Sequence, residues 1–422
     1  MRKLLYILAL LILILTYYTA YSQNPQWIVY TPLNSGLPSF EVTDIIIDSG
    51  YIKWIGTDEG LARFDGLNWT VYDTSNSGIP TNYARKLAID KQKNIWIATT
   101  GYGLVKFDRT NWILYNINNS GLPSNFLVSI DIDSINNKWI GTLAKGLVKY
   151  NDVNWIIYDT INSGLPENTV ISTSFENHIK WFGTSGSGLA KFNDTNWVVY
   201  NRNNSGIPSN FTRSLFIDSF GNKWIGTANG GVAKFISNNN IWVVYDVNWP
   251  GLPGNYIYSI LIDNNNIKWF GTNGGLAKYN DTNVIVYGPP LSSYFFPSLK
   301  QDKYNNIWIA SGGGLAVHNP NGIINISNNS YLMPNEYQLY QNYPNPFNSQ
   351  TTIKFDIKKK GDYSLVIYDC LGRKRDEVFN EYLNAGSYSV SFKGDELQSG
   401  VYFYRLSADG NVVETRKMVL IK

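Results

Sequence analysis

The chain has little sulfur or imidazole to work with: 1 Cys, 3 Met and 2 His in 422 residues. One Cys excludes an intramolecular disulfide framework and a thiolate metal site. Two His leave too little imidazole for an ordinary zinc centre or a Cys-His mechanism. Charge is also scarce. Asp, Glu, Lys and Arg make up 16% of residues, and 35 basic against 32 acidic side chains leave a formal charge of +3. No polybasic field exists to attract a phosphate backbone or anionic lipid, so nucleic acid is not an expected partner. Also missing are a glycine-rich phosphate loop after a strand, a Ser-His-Asp set and a His-x-x-x-His pair, and neither a metal nor a cofactor is expected. What the chain has in quantity is aromatic: 14 Trp and 30 Tyr within a 15% aromatic content. That is ample apolar surface for a large core, and the length suits two or three domains, or one large repeat fold and a smaller partner.

Only the N-terminus has a long apolar run. Arg2 and Lys3 precede Leu4 to Thr16, which fits the apolar region of a signal peptide and falls short of the ~20 residues of a membrane span. Ala20 and Ser22 at −3 and −1 place cleavage before Gln23, so residues 1–22 are expected to be a signal peptide. The competing reading is an uncleaved anchor extended through Tyr17 and Tyr18. No Cys follows the site, so a lipoprotein anchor is not expected, and the mature chain should hold no membrane span.

Periodicity dominates the rest. A Trp followed by Ile or Phe, Gly or Ala, and Thr or Ser recurs at 54, 96, 139, 181, 224, 269 and 308. A second series opens on Trp27, Trp69, Trp112, Trp155, Trp197 and Trp242, with Val284 in seventh place. Steps of roughly 40–45 residues carrying Trp signatures are those of four-stranded propeller blades. In the first full repeat, Asp44–Asp48, Lys53–Thr57, Leu61–Asp65 and Asn68–Tyr72 read as short strands separated by Gly, Asn and Asp turns. Asn-Ser-Gly-Leu/Ile-Pro at 34–38, 76–80, 119–123, 162–166 and 204–208 reads as a rigid crossover between blades. The fold class is therefore all-β: a single seven-bladed propeller over 23–328, a linker at 329–336 and a small Ig-like sandwich over 337–422. Either Gln26 to Tyr30 or Gly322 to Ile326 closes the seventh blade, and the former would remove two open sheet edges.

Trp54 to Thr57 followed by Gly60-Leu61, and Trp224 to Thr227 followed by Gly231-Val232, resemble the two-component-regulator propeller repeat. That family's tandem propellers are periplasmic sensors of hybrid histidine kinases, many linked to polysaccharide sensing. The alternating runs Thr352–Ile357, Tyr363–Tyr368, Ser387–Phe392, Val401–Leu406 and Val412–Leu420 describe the sandwich. This module resembles the type A C-terminal sorting domain of the type IX secretion system of Bacteroidota and their relatives. The resemblance rests on Tyr343, Pro344, Asn345, Pro346, Phe347 and Asn348, then Ile367-Tyr368-Asp369, Gly372 and Arg373, Ala385-Gly386, Ser399, Gly400, Val401 and Tyr402, and the terminal run from Lys417 to Lys422. It implies passage from periplasm to the cell surface or medium with the type IX translocon as partner, and often cleavage of the tail on release or attachment to lipopolysaccharide. The alternative is an Ig-like domain with a binding role of its own.

Two features of the propeller invite a ligand. Aromatic residues recur where the innermost strand begins, at Phe40, Tyr83, Phe126, Phe211, Tyr256 and Phe295, with Thr169 in the fourth repeat. Arg85, Arg213 and Tyr258 follow two residues after an aromatic and add directional hydrogen bonds. Asp58, Glu59, Tyr102, Lys145 and Asn229 differ from blade to blade on the same rim. Asp48, Asp90, Asp133, Asp218, Asp263 and Asp302 recur six residues before a Trp, and a single carboxylate per turn reads as a turn cap rather than a calcium ligand. His178 and His318 are each alone in their repeats. The leading expectation is a monomeric, exported, non-enzymatic module binding glycan or a surface protein. A propeller lyase or hydrolase acting on extracellular polysaccharide and a purely structural envelope or adhesion module are the alternatives.

Overall fold

The computed structural model describes residues 27–66, 68–237, 239–287, 293–319, 327–328, 336–383 and 386–422. Seven four-stranded antiparallel sheets form the propeller. In blade 1 the strands run from the channel outward as Val42–Ile47, Lys53–Thr57, Gly60–Phe64 and Trp69–Tyr72. The innermost strand of blade 1 starts two residues before the expected Asp44 and stops before Asp48, because that Asp already belongs to the turn. The remaining innermost strands are Ala84–Ile89, Leu127–Ile132, Val170–Glu176, Thr212–Ile217, Ile257–Ile262 and Ser298–Gln301.

Blade 7 takes its outer strand from the other end of the chain: Trp27–Tyr30 pairs with Gly314–His318. The alternative closing segment, Gly322 to Ile326, lies outside the described residues, as do the signal-peptide residues and Gln26. Tyr30 stacks on Trp308, ring centroids 6.3 Å apart and 4° between planes, and reaches Phe64 of blade 1 at 5.2 Å. Burial pushes its phenol up to about 12. Trp27 lies edge-on to His318 at 4.9 Å. His318 thus holds the place that Phe64, Phe107 or Phe192 holds in other blades, each stacked on its own outer-strand Trp at 4.1–4.3 Å.

The same unit of packing repeats around the ring. All seven second-strand Trp residues are fully buried. Trp54 stacks on Tyr72 of its own blade at 6.1 Å and meets Phe107 of the next blade edge-on at 5.9 Å. Trp96 does the same with Tyr115 and Tyr150. A buried indole N–H needs an acceptor, and in six blades the turn Asp supplies one: Nε1 donates to Oδ2 of Asp48, Asp90, Asp133, Asp218, Asp263 or Asp302 at 2.8–3.3 Å. The other oxygen accepts backbone N–H groups of its own turn, as Asp133 Oδ1 does from Ile135 and Asn137 at 3.1 and 2.9 Å. Burial opposes the charge on Asp133, yet the hydrogen bonds from Trp139, Asn137 and Ile135 outweigh it and hold the carboxyl below its ordinary range. These carboxylates are therefore turn caps that also anchor the core. In blade 4 the turn is one residue shorter: Phe175 lies opposite Lys180 as Ile47 lies opposite Lys53, Glu176 stands in the Asp place with its carboxylate on Lys223, and the Trp181 N–H has no acceptor among the described residues.

Glycine in the crossover is required by a close approach. A Cβ on Gly36 would stand 2.4 Å from the Cβ of Trp69, and one on Gly121 the same distance from that of Trp155. The crossover therefore lies flat on the next blade's outer strand.

A lysine precedes the Trp in five blades and is buried each time. Lys138 and Lys268 reach Asp152 and Asp281 at 2.6 Å, Lys180 reaches Asp194, and Lys223 reaches Glu176 at 2.6 Å. Lys53 differs: its amine sits 4.7 Å over the Trp308 ring and has no hydrogen-bond partner among the described residues. Burial lowers its pKa from 10.5 to about 8 despite the nearby charges of Asp302 and Asp48.

The C-terminal module is a sandwich of two sheets. One carries Ser327–Asn328, Gly386–Lys393, Gln350–Ile357 and Gln338–Leu339 in that order; the other carries Lys374–Leu383, Gly361–Asp369, Gly400–Ala408 and Asn411–Leu420. Ile353, Phe355, Leu365, Ile367, Tyr404, Leu406 and Met418 are fully buried between them. The sequence pattern misses Lys374–Leu383 because its first four residues are charged or polar and exposed, as suits an edge strand.

Two stability outcomes follow. Trp139→Ala should cost about 3–5 kcal/mol in chemical denaturation, since it empties a packed site between two blades. Lys53→Ile should stabilise the fold, because Ile95 and Ile307 already hold this position in blades 2 and 7. The folded pKa of Lys53 lies below the unfolded one, so the charged amine costs the fold on the order of 2–3 kcal/mol below about pH 8, and that cost fades as pH rises toward 10.5. The gain from Lys53→Ile should accordingly be largest at neutral pH and shrink as pH rises toward 10.5, leaving the smaller part that comes from removing an unpartnered buried amine, in denaturation curves across that range.

Candidate functional site

The innermost strands surround a channel, and their opening residues are set by a repeated bulge. In blades 1 to 6 the register slips by one residue at the start of the strand, between Val42 and Asp44, Ala84 and Lys86, Leu127 and Ser129, Val170 and Ser172, Thr212 and Ser214, and Ile257 and Ser259. A bulge re-aims the side chain of its extra residue. Those residues are Thr43, Arg85, Val128, Ile171, Arg213 and Tyr258, and Pro297 stands in the corresponding place before the blade 7 strand.

The next residue faces Gly or Ala of the second strand: Asp44, Lys86, Ser129, Ser172, Ser214, Ser259 and Ser298. Ser129 donates to Val170 O at 2.9 Å and Ser259 to Phe296 O at 2.6 Å, tying each blade to its neighbour. In blade 1 Thr43 donates to Ala84 O, and Asp44 Oδ2 accepts from Leu87 N at 2.9 Å. These residues, with Asp131, Thr173, Arg213, Tyr258 and Lys300, line a cavity of about 200 Å³. That is the share of roughly six or seven waters, room for a small polar group and too little for a polymer.

Inside the channel Lys86 lies 3.5 Å from Asp44 and donates to Pro297 O at 3.3 Å, and its side chain keeps 30% exposure. Burial lowers its pKa, Asp44 works against that, and Lys300 and Arg85 add to it. Asp131 is pushed up by burial, partly offset by the Ile132 N–H, by Lys300 and by Thr173, whose hydroxyl donates to it at 3.4 Å.

The mouth above is built differently. Arg213 donates to the Tyr256 hydroxyl at 3.1 Å, and its guanidinium carbon lies 5.2 Å from the ring centres of both Tyr256 and Tyr258. Tyr258 contacts Tyr256 at 4.9 Å and Phe295 edge-on at 5.0 Å. Burial lowers the Arg85 pKa, and the charges acting on it are Tyr83 and Arg213, with no carboxylate among them. Burial raises the Tyr83 phenol, Arg85 lowers it, and Glu41 and Asp58 raise it.

The structure thus gathers Arg213, Tyr256, Tyr258 and Phe295 of the residues singled out in the sequence, and Tyr83 and Arg85 stand at the same positions at the start of the blade 2 strand. Phe126 and Phe211 stand at the same place in their own blades, their carbonyls accepting from Leu143 N and Ala228 N at 3.0 Å. Phe126 is half exposed. Phe40 does not hold the equivalent place in blade 1: the N–H of Glu41 bonds Ser39 Oγ, as that of Tyr83 bonds Thr81 Oγ1 and that of Phe126 bonds Ser124 Oγ. Counting from the Trp gives Glu41 as well, so the rim has five aromatics with Thr169 and Glu41 between them. The lower channel residues Asp44, Lys86, Asp131 and Lys300 are not evident from the aromatic pattern. Asp44 and Lys86 emerge by counting ten residues back from the Trp and noticing where Ser is replaced, Asp131 and Lys300 by counting eight. His178 is exposed on a turn and His318 is buried in blade 7.

In the sandwich the motif residues are mostly fastenings. Asn345 Oδ1 accepts Val419 N at 2.9 Å, and buried Phe347 donates its N–H to Val419 O and accepts Ile421 N at 2.9 and 2.8 Å. Gly372 has a φ of 75° in a turn where Arg373 and Arg375 bind the Asp369 carboxylate at 2.7 and 2.9 Å. Gly400 pairs with Leu420 and Lys417 with Phe403, Tyr402 donates to Gln398 O, and Lys422 reaches Asp395 O at 2.6 Å. Pro344 O accepts from Asn342 and Thr351, and the peptide bonds before Pro344 and Pro346 are cis. Tyr343 remains 81% exposed, and Asn348 is exposed beside it.

Two family models match: the secretion system C-terminal sorting domain over residues 341–422 and the two component regulator propeller over residues 251–274. No curated protein matches the sequence. Solved structures share the fold. The extracellular domain of BT3049 from B. thetaiotaomicron, described as a hybrid two component system, is 21% identical with a TM-score of 0.62, over 94% of this chain and 57% of that one. PorZ of Porphyromonas gingivalis, described as an essential bacterial surface component of the type-IX secretion system, is 17% identical with a TM-score of 0.57, over 94% of this chain and 61% of that one. Virginiamycin B lyase from Staphylococcus aureus is 12% identical with a TM-score of 0.55, over 69% of this chain and 97% of the lyase. The chain spans about three fifths of the first two, and at these identities the likeness is one of fold. One stretch of the propeller matches the two component regulator propeller model, and the C-terminal module matches the sorting domain, which marks proteins for secretion or surface attachment.

Proposed function

We propose that the propeller is a non-enzymatic binding module, delivered by its sorting domain, that takes glycan at the mouth of the central channel. The observation that carries this reading is the packed group of Tyr256, Tyr258 and Phe295 with the Arg213 guanidinium against two of the rings. Aromatic faces match the apolar faces of sugar rings, and the guanidinium and phenols supply directional donors beside them. Tyr83 and Phe126 extend the aromatic rim around the mouth.

A binding role fits the chemistry of the channel better than turnover. Both imidazoles are placed away from the channel lining: His178 on an exposed turn and His318 against Trp27. The channel carboxylates Asp44 and Asp131 are engaged by backbone N–H groups and by Lys86 or Thr173. The fold shared with virginiamycin B lyase does not carry that protein's chemistry here.

A glycan array probed with the purified protein tests the reading. Binding to at least one glycan class is expected, weakened tenfold or more in Tyr256→Ala and in Tyr83→Ala while thermal melting stays within a few degrees of the parent. Absence of binding to every glycan, or equal binding by both variants, would overturn it.

A further inference from the structure

Many buried or half-buried cations elsewhere in the propeller have acids; Lys53 and the third-strand lysines instead lie over Trp rings. Lys138, Lys180, Lys223 and Lys268 each have an acid, Lys86 has Asp44, Arg63 has Asp65 and Arg109 has Asp48. The two arginines at the channel mouth do not. Arg213 gives one hydrogen bond to a neutral phenol, and Arg85 is held, partly desolvated, where the like charge of Arg213 acts on it and no carboxylate does. A guanidinium has five N–H donors in a planar fork, so most of the donor capacity of this pair is unspent. Both arginines stand at the same bulge position, in blades 2 and 5, and that bulge is what turns them to the mouth.

A half-buried guanidinium without a counter-charge costs stability that a bound anion would return. The surroundings limit which anion. Glu41 and Asp58 act on Tyr83 nearby, and Asp44 and Asp131 line the channel. A dianion or a densely sulfated chain would meet these four carboxylates, whereas a single planar carboxylate matches the guanidinium fork and adds one charge. Glu41 and Asp58 are suited instead to accept from hydroxyl groups.

We propose that the channel mouth recognises a uronic acid residue, its carboxylate gripped between Arg85 and Arg213 and its ring against Tyr256, Tyr258 and Phe295. This assignment rests on the glycan reading above and narrows it to acidic sugars.

Calorimetric titration of the full protein with trisaccharides of galacturonic acid and of glucuronic acid, their methyl esters, neutral galactose and glucose trisaccharides, and 6-sulfated equivalents tests it. At least one acid should bind tenfold or more tighter than its ester and its neutral counterpart, and the preference should fall as salt rises from 50 to roughly 500 mM. Arg85→Gln and Arg213→Gln should each remove most of that preference of acid over ester and neutral sugar, with the melting temperature within a few degrees of the parent. Equal binding of acid, ester and neutral sugar would overturn the acidic assignment and leave the glycan site standing. Sulfated sugars binding as well as the acids would overturn the choice of carboxylate. No binding by any sugar would overturn both readings. The wild-type comparison decides the matter even where a variant fails to fold.

Discussion

The propeller depends above all on burying seven tryptophans, six of them with a turn Asp to accept the N–H group. A buried indole gains the most when its faces are packed on both sides, and it loses much of that gain if the donor is left without an acceptor. The turn Asp meets both needs. Its Oδ2 takes the indole and its Oδ1 takes the turn's own N–H groups, so the hairpin that positions the Trp also satisfies it. Fixing the Trp fixes the Tyr stacked on it within the blade and the Phe or Tyr that meets its edge from the next blade. Ring closure obeys the same rule, with Tyr30 carried across from the N-terminal end to give Trp308 its stacking partner.

A ring assembled from equal units makes its departures informative. Serine at the channel position is a clasp from blade to blade, and Asp44 and Lys86 replace it in neighbouring blades as an ion pair. At the bulge position one step earlier, Val128 and Ile171 are apolar, whereas Arg85 and Arg213 bring charge that nothing nearby neutralises. Lys53 departs in another way, keeping the buried amine of its repeat after losing the acid. The first kind of departure is resolved within the fold; the other two leave energy unrecovered. At a channel mouth, unrecovered electrostatic energy can be returned by a ligand, while beneath Trp308 it can only lower stability.

The sequence carries this fold openly because each signal is repeated seven times or nearly so, and the Trp series fixes the blade number before any strand is assigned. The rim was partly legible. Tyr83, Arg85, Arg213, Tyr256, Tyr258 and Phe295 follow from position within the repeat, but Phe40 does not, because a one-residue slip is invisible until the Ser39 and Thr81 turns are compared. The bulge is what hides the channel. It breaks the two-residue alternation at the very residues that line the mouth, so a reading by alternating faces loses the register there. The missed strand Lys374–Leu383 has a similar cause, since an exposed edge strand has no apolar alternation to detect.

The two modules divide the work by how they use their distinctive residues. In the sandwich those residues are spent on the fold: Asn345, Phe347 and Lys422 tie the two ends of the domain together, and the exposed remainder, such as Tyr343, is small. A recognition signal built this way is read as a folded shape, so a substitution at Phe347 acts on sorting by loosening the domain rather than by removing a contact. In the propeller the distinctive residues at the mouth are the ones the fold does not need, since Val128 and Ile171 complete the same bulge without any charge. Residues that the architecture can spare, placed where it converges, are free to be set by a ligand.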